Sequence, residues 1–152
     1  MRRDVIAAYV EKLLAALTET SHVAPDKDGD YPVRFGSALY YVRLVGAEEP
    51  DVQVFAVAVD GIEQSPELLA ELNDLNCRIR FGRVFHVAGQ VLVETDLIGD
   101  AVDPRGFGNA CEVVASVTDK IGPELAKKYG GRTTFEDSKE PDYEPPAPGM
   151  YL

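Results

Sequence analysis

The chain has 152 residues, about one domain at the usual ~100–200 residues per domain and enough to bury a core. Its 26 acidic and 15 basic residues give a formal charge of −11, which argues against nucleic acid or an anionic membrane surface as partner. Asp4, Glu11 and Lys12 interrupt the N-terminal apolar run, so nothing approaches the ~18 apolar residues of a membrane span. Cys77 and Cys111 lie far apart with no C-x-x-C spacing, so both are expected to be small buried hydrophobes in a reducing, cytoplasmic setting.

Asp4 can cap a first helix running to about Leu17, with Ile6, Val10, Leu13, Leu14 and Leu17 on one face. The polar stretch to Asp30 ends in a turn, and Pro32 limits the strand Tyr31 to Phe35 to an edge or a strand start. Gly36 and Ser37 turn the chain into a strand from Ala38 to Val45. Val52 to Val59, the most continuously apolar segment, predicts a central strand covered on both faces, and the short connections require antiparallel pairing.

Ser65 as N-cap and Pro66 at the first position start a second helix, whose Leu68, Leu69, Leu72 and Leu75 form an apolar stripe and which ends near Asn76. From Cys77 the period changes to two. Cys77, Ile79, Phe81, Phe85 and Val87 share one face of the predicted strand, and Arg78, Arg80, Gly82, Val84 and His86 share the other. Ala88 and Gly89 turn this strand back into Val91 to Ile98. Setting Val87 against Val91 pairs Phe85 with Val93, Arg83 with Thr95 and Phe81 with Leu97, and keeps one face apolar. That register gathers Arg78, Arg80, His86, Glu94 and Asp96 on the opposite face, with the carboxylates as cross-strand partners of the two arginines. Arg83 falls on the apolar face, where it needs a bulge at Gly82 or a carboxylate, Asp74 or Glu71 of the preceding helix.

Asp103 and Pro104 open a final helix with Phe107, Ala110, Cys111, Val114, Val117, Ile121, Leu125 and Tyr129 on its buried stripe. Pro123 should kink or split it near Gly122, and Gly130 and Gly131 end it. The order α-β-β-β-α-β-β-α predicts an α+β fold with a five-stranded antiparallel sheet packed with helices. Residues 1–135 form the single domain. Residues 136–152 are an acidic, proline-rich tail of charge −4, leaving −7 for the rest, with a composition that favours disorder or polyproline II.

No catalytic, cofactor or metal constellation passes a spacing test. Asp26, Asp28 and Asp30 begin like a calcium loop, but its sixth and twelfth positions are Tyr31 and Ser37. Gly106 and Gly108 start a dinucleotide fingerprint whose third glycine position holds Cys111. Candidate binding or interface residues are therefore Arg78, Arg80, Arg83, His86, Glu94 and Asp96, which could also centre a small-molecule or metal-binding regulator or an unrecognised enzyme.

The string ELLAELNDLNCRIRFGRVF, following DKDGDYPVRFGSALYYVRL and preceding a long helix that ends AKKYGG, resembles the actinobacterial branch of the YbjN family. That family is similar in fold to the CesT-like chaperones of type III secretion. The resemblance covers roughly residues 4 to 135. It implies a homodimeric, non-enzymatic domain that binds an extended protein segment in a chaperone-like or sensory-regulatory role, without nucleic acid, membrane or cofactor. It also implies that the marker residues Leu72, Asn73, Asn76, Phe81, Gly82 and Arg83 are structural.

Overall fold

The computed structural model describes residues 2–135. The tail, and with it the expected polyproline segment, lies outside the described residues. Helix α1 (Arg2–Thr18) precedes strands β1 (Tyr31–Phe35), β2 (Ala38–Val45) and β3 (Asp51–Asp60). Helix α2 (Pro66–Arg78), strands β4 (Arg83–Val87) and β5 (Gln90–Leu97), a short 3-10 turn (Gly99–Ala101) and helix α3 (Pro104–Tyr129) follow. The five strands are all antiparallel, in the order β1-β2-β3-β5-β4, which places the Pro32 strand at an edge as expected.

Alternation divides the sheet into two unlike faces. Tyr40 and Val42 of β2, Val52, Val54 and Ala56 of β3, Val91 and Val93 of β5 and Val84 of β4 point to one side and are fully buried. There they meet the α3 stripe of Phe107, Ala110, Cys111, Val114, Val117, Ile121 and Leu125, flanked by Ile6, Val10 and Leu14 of α1 and Leu68, Leu72 and Leu75 of α2. No described helix covers the other side, where Tyr41, Phe55, Val57, Phe85 and Leu92 are only half-buried. Contrary to the expectation from sequence, the continuous apolar run of β3 is therefore buried by described helices on one face alone. Its central place in the sheet holds.

The local signals at the helix starts act as read. Ser65 accepts a hydrogen bond from the Leu68 amide at 3.1 Å, Asp103 caps Gly106 at 2.6 Å, and both helices begin with proline. Helix α1 instead begins at Arg2, placing Asp4 inside its first turn rather than at the cap. Pro123 does not split α3, which is continuous over 26 residues. The Asp119 carbonyl, four residues before the proline, has lost its helical donor. The Ser37 hydroxyl lies 3.3 Å from that carbonyl and 2.7 Å from the Asp119 carboxylate, which also takes the Ser37 amide at 2.8 Å. The β1–β2 turn is thereby fastened to α3. Gly36 is required in it: its φ is +58°, and a Cβ there would lie 2.4 Å from Asp119 Oδ1.

The marker string LNDLNCRIRFGR is resolved into three distinct roles. Helix α2 runs two residues past Asn76, and Ile79 caps it with its amide on the Leu75 carbonyl, 8% exposed. Cys77 and Arg78 are thus helical, and Cys77 is exposed rather than buried. Asn76 turns back on the edge of the sheet: its amide nitrogen donates to the Val84 carbonyl and its oxygen accepts the Val84 amide, both at 2.8 Å. The side chain thus serves β4 as a missing neighbouring strand would.

Two stability effects are expected. Asn76→Ala leaves both Val84 backbone groups unpaired and should cost about 2–6 kcal/mol at roughly 1–3 kcal/mol per unsatisfied group, whereas Asn76→Asp keeps the acceptor and should cost less. Gly36→Ala should lower the urea midpoint by the equivalent of at least ~1–2 kcal/mol, the cost of a left-handed non-glycine residue, with the unfolding slope unchanged.

Candidate functional site

Strands β4 and β5 are joined by the two-residue turn Ala88–Gly89, both residues at positive φ, +49° and +75°. A two-residue turn of that hand pairs the residues on either side of it. Val87 therefore faces Gln90, Phe85 faces Leu92 and Arg83 faces Glu94, one residue away from the register expected on apolar matching. Continued beyond Arg83, this register would set Phe81 against Asp96, but Phe81 is not in the strand. It takes φ +63° and leaves the sheet beside Gly82.

This register breaks up the predicted charged group. Arg83, Glu94 and Asp96 come together on the uncovered face: the Arg83 guanidinium pairs with Glu94 and lies 3.5 Å from Asp96. Neither Asp74 nor Glu71 is its partner; Glu71 instead accepts from Lys128 at 3.3 Å and the Tyr129 hydroxyl at 2.6 Å. Arg78 sits on α2, and Arg80 lies in the connection with its guanidinium 5.2 Å from the Phe81 ring. His86 points to the helix-covered side, its Nε2 2.8 Å from the Ile62 carbonyl. Among the described residues no group of three or more His, Cys, Asp or Glu side chains could hold a metal ion.

The Arg83 arrangement recurs at the opposite side of the same face. Arg43 is held by Asp30 through two hydrogen bonds of 2.8 and 2.7 Å, and its guanidinium lies 4.5 Å from the Phe55 ring. The Arg83 guanidinium lies 5.1 Å from the Phe85 ring. Each arginine thus covers an aromatic ring while a carboxylate fixes its orientation. The Asp30 pairing raises the Arg43 pKa further, so this cation keeps its charge. Asp26, read as a turn residue, organises the loop that delivers Asp30 by accepting the amides of Asp28 and Asp30.

Strand β5 continues through Thr95, Asp96 and Leu97 after β4 has begun at Arg83 opposite Glu94. On that side no described strand lies against those three residues. The space is a cleft of about 710 Å³ between the Phe81–Gly82 connection and the first turns of α3, lined by Arg83, Thr95, Leu97, Arg105 and Asn109 among others. The Thr95 hydroxyl donates to the Phe81 carbonyl at 2.7 Å and sets the cleft's width. A Cβ on Gly82 would lie 3.0 Å from Val113 and 3.2 Å from Thr95, so a larger residue here would press on both side chains. Phe81 itself is 62% exposed beside the opening. Sequence reading missed Leu97, Arg105 and Asn109, because they join Phe81 only after strand and helix have packed.

An α+β domain with one helix-covered sheet face, an uncovered aromatic–arginine face and a cleft at the end of a strand edge is a binding module of the secretion-chaperone type. The sequence model of the type III secretion (YopN, CesT) and YbjN peptide-binding chaperone family, TY-Chap1, matches residues 4–137, and the chain belongs to that family. The crystal structure of the ExsC–ExsE complex contains a similar fold, with a TM-score of 0.58 and 15% sequence identity over 74% of this chain and 90% of that one. No curated protein sequence matches. None of the described helices is long and apolar enough to cross a membrane.

The two thiols should behave differently. Burial pushes the Cys111 thiol up to about 12, whereas Cys77 is exposed. At pH 8 a thiol reagent should modify Cys77 rapidly and Cys111 only after unfolding. Above pH ~9 the unfolded thiol ionises while the folded one keeps its proton, so this group's contribution to stability should fall as pH rises. Arg83→Ala should cost about 1–3 kcal/mol, and adding Glu94→Gln should recover most of it, since Glu94 is only 8% exposed and its unpaired charge is the costly species.

Proposed function

We propose that this chain is a non-enzymatic, chaperone-like module that holds an extended segment of another protein, and that it does so as a cytoplasmic homodimer. The observation that carries the reading is that the end of β5, Asp96–Leu97, runs on past β4 beside the Phe81 cleft with no described strand against it. Backbone groups of a strand edge can pair with an added strand whatever its sequence, while a side-chain pocket beside the edge selects which segments stay. Membership of a peptide-binding chaperone family supports the same role.

Phe81 is the informative residue. It is exposed and held at positive φ, a conformation that costs a non-glycine residue roughly 1–2 kcal/mol. Strain of this kind at a surface position fits a side chain kept for contact with a ligand. Phe81→Gly should therefore raise the unfolding temperature yet weaken capture of extended peptides from an array by about tenfold, as for one aromatic hot spot. Peptides N-methylated at alternate residues should bind poorly. Equal retention of methylated and unmethylated peptides would show that no strand is added, and a strict monomer in light scattering would remove the dimer.

A further inference from the structure

After α3 ends, the chain comes round the end of the sheet. Asp60 and Arg132 exchange backbone hydrogen bonds of 2.9 Å, and the Phe135 amide donates to the Ser37 carbonyl. The ring of Phe135 then lies 3.8 Å from the guanidinium of Arg34. By strand alternation Arg34 belongs, with Pro32, Leu39 and Tyr41, to the face that no described helix covers. The last described residue thus sits at the margin of that face, and 17 residues follow it.

We propose that residues 136–152 lie in cis across this uncovered face. Extended at ~3.3 Å per residue they reach up to about 55 Å, while crossing from β1 to β4 takes four interstrand steps of ~4.8 Å, about 19 Å. The tail carries −4, and the guanidiniums it could meet on this face are those of Arg34, Arg43 and Arg83, the last two already paired with Asp30 and with Glu94 and Asp96. The side chains of Arg43 and Arg83 remain 45% and 60% exposed while paired, so further acceptors can reach them. Of the face's carboxylates, Asp51 and Asp96 lie toward the end of the sheet away from Phe135, Glu94 is paired with Arg83, and Asp60, at the near end, is paired with Arg132. Between the arginines, Leu39, Val57, Leu92 and the rings of Tyr41, Phe55 and Phe85 offer half-buried apolar ground to Tyr143, Met150, Tyr151 and Leu152. The family match stops at residue 137, so this device belongs to the present chain rather than to the shared domain. Arg83 and Asp96 belong to both the face and the cleft. If the proposed peptide-binding role holds, a tail lying there meets a bound segment at that pair and competes with it.

Methionine-methyl NMR of the full chain tests the docking without any partner protein, so its outcome is separate from that of the peptide-binding reading. The chain has two methionines, Met1 and Met150, and Met1 serves as the internal reference. The expected result is a ring-current-shifted Met150 methyl with NOEs to Leu39, Val57 or Leu92, persisting when labelled protein is diluted into an excess of unlabelled protein. Replacing Tyr143 and Tyr151 by Ser, which leaves the domain intact, should return Met150 to the shift of a free peptide, and raised salt should do so in part. A Met150 methyl at the free-peptide shift without NOEs in the unmodified chain overturns the proposal. So do NOEs to residues off this face, or NOEs found only between molecules, which would make a second copy the occupant.

Discussion

Burial of the α3 stripe against a single face of the sheet is the constraint on which the other features depend. The stripe is continuous from Phe107 to Leu125, and the fully buried members of β2, β3, β5 and β4 all point toward it. Because α1 and α2 join α3 on that side, the other face is left with residues that are neither fully buried nor plainly polar. Its aromatic rings lie beneath Arg43 and Arg83, which are oriented by Asp30 and by Glu94 with Asp96. Two stacked guanidiniums keep that surface wettable while leaving it adhesive, since each arginine retains free donors.

The cleft arises from a mismatch of lengths rather than from a motif. Helix α2 runs on to Arg78, Ile79 is drawn into the core, and only three residues remain before β4 must begin. Phe81 absorbs that shortage in a left-handed conformation, Gly82 passes between Val113 and Thr95, and β5 outruns its neighbour. The surface with most to offer a partner thus sits where local preference and global packing disagree, and strained backbone tends to collect at such places.

The strongest local signals carried through to the fold. Proline after Ser65 and Asp103, the helical stripes, the period of two in β1 to β3 and the turn glycines each act over a few residues, so their effect survives any tertiary context. Where one interaction overrode another, the local reading failed: Cys77 and Arg78 alternate like strand residues yet finish a helix, and Pro123 sits inside a continuous one because Ser37 reaches the carbonyl it orphans. The hairpin register turned on Ala88 and Gly89. Apolar matching favoured one alignment, and the conformation of the two-residue turn favoured another.

By itself, the sequence determined the order of elements, the α+β class, the starts of α2 and α3 and the likeness to a chaperone family, because periodicity, capping and turn chemistry are local. Only the tertiary structure decided that Arg83 meets Glu94 rather than Asp74, that His86 turns inward to Ile62, that Asn76 completes the edge of β4, and that Phe81 stands exposed over a cleft formed with α3. Those outcomes depend on which distant groups arrive within about 3 Å of one another. Spacing along the chain does not encode that distance; the packing of α3 on one face of the sheet does.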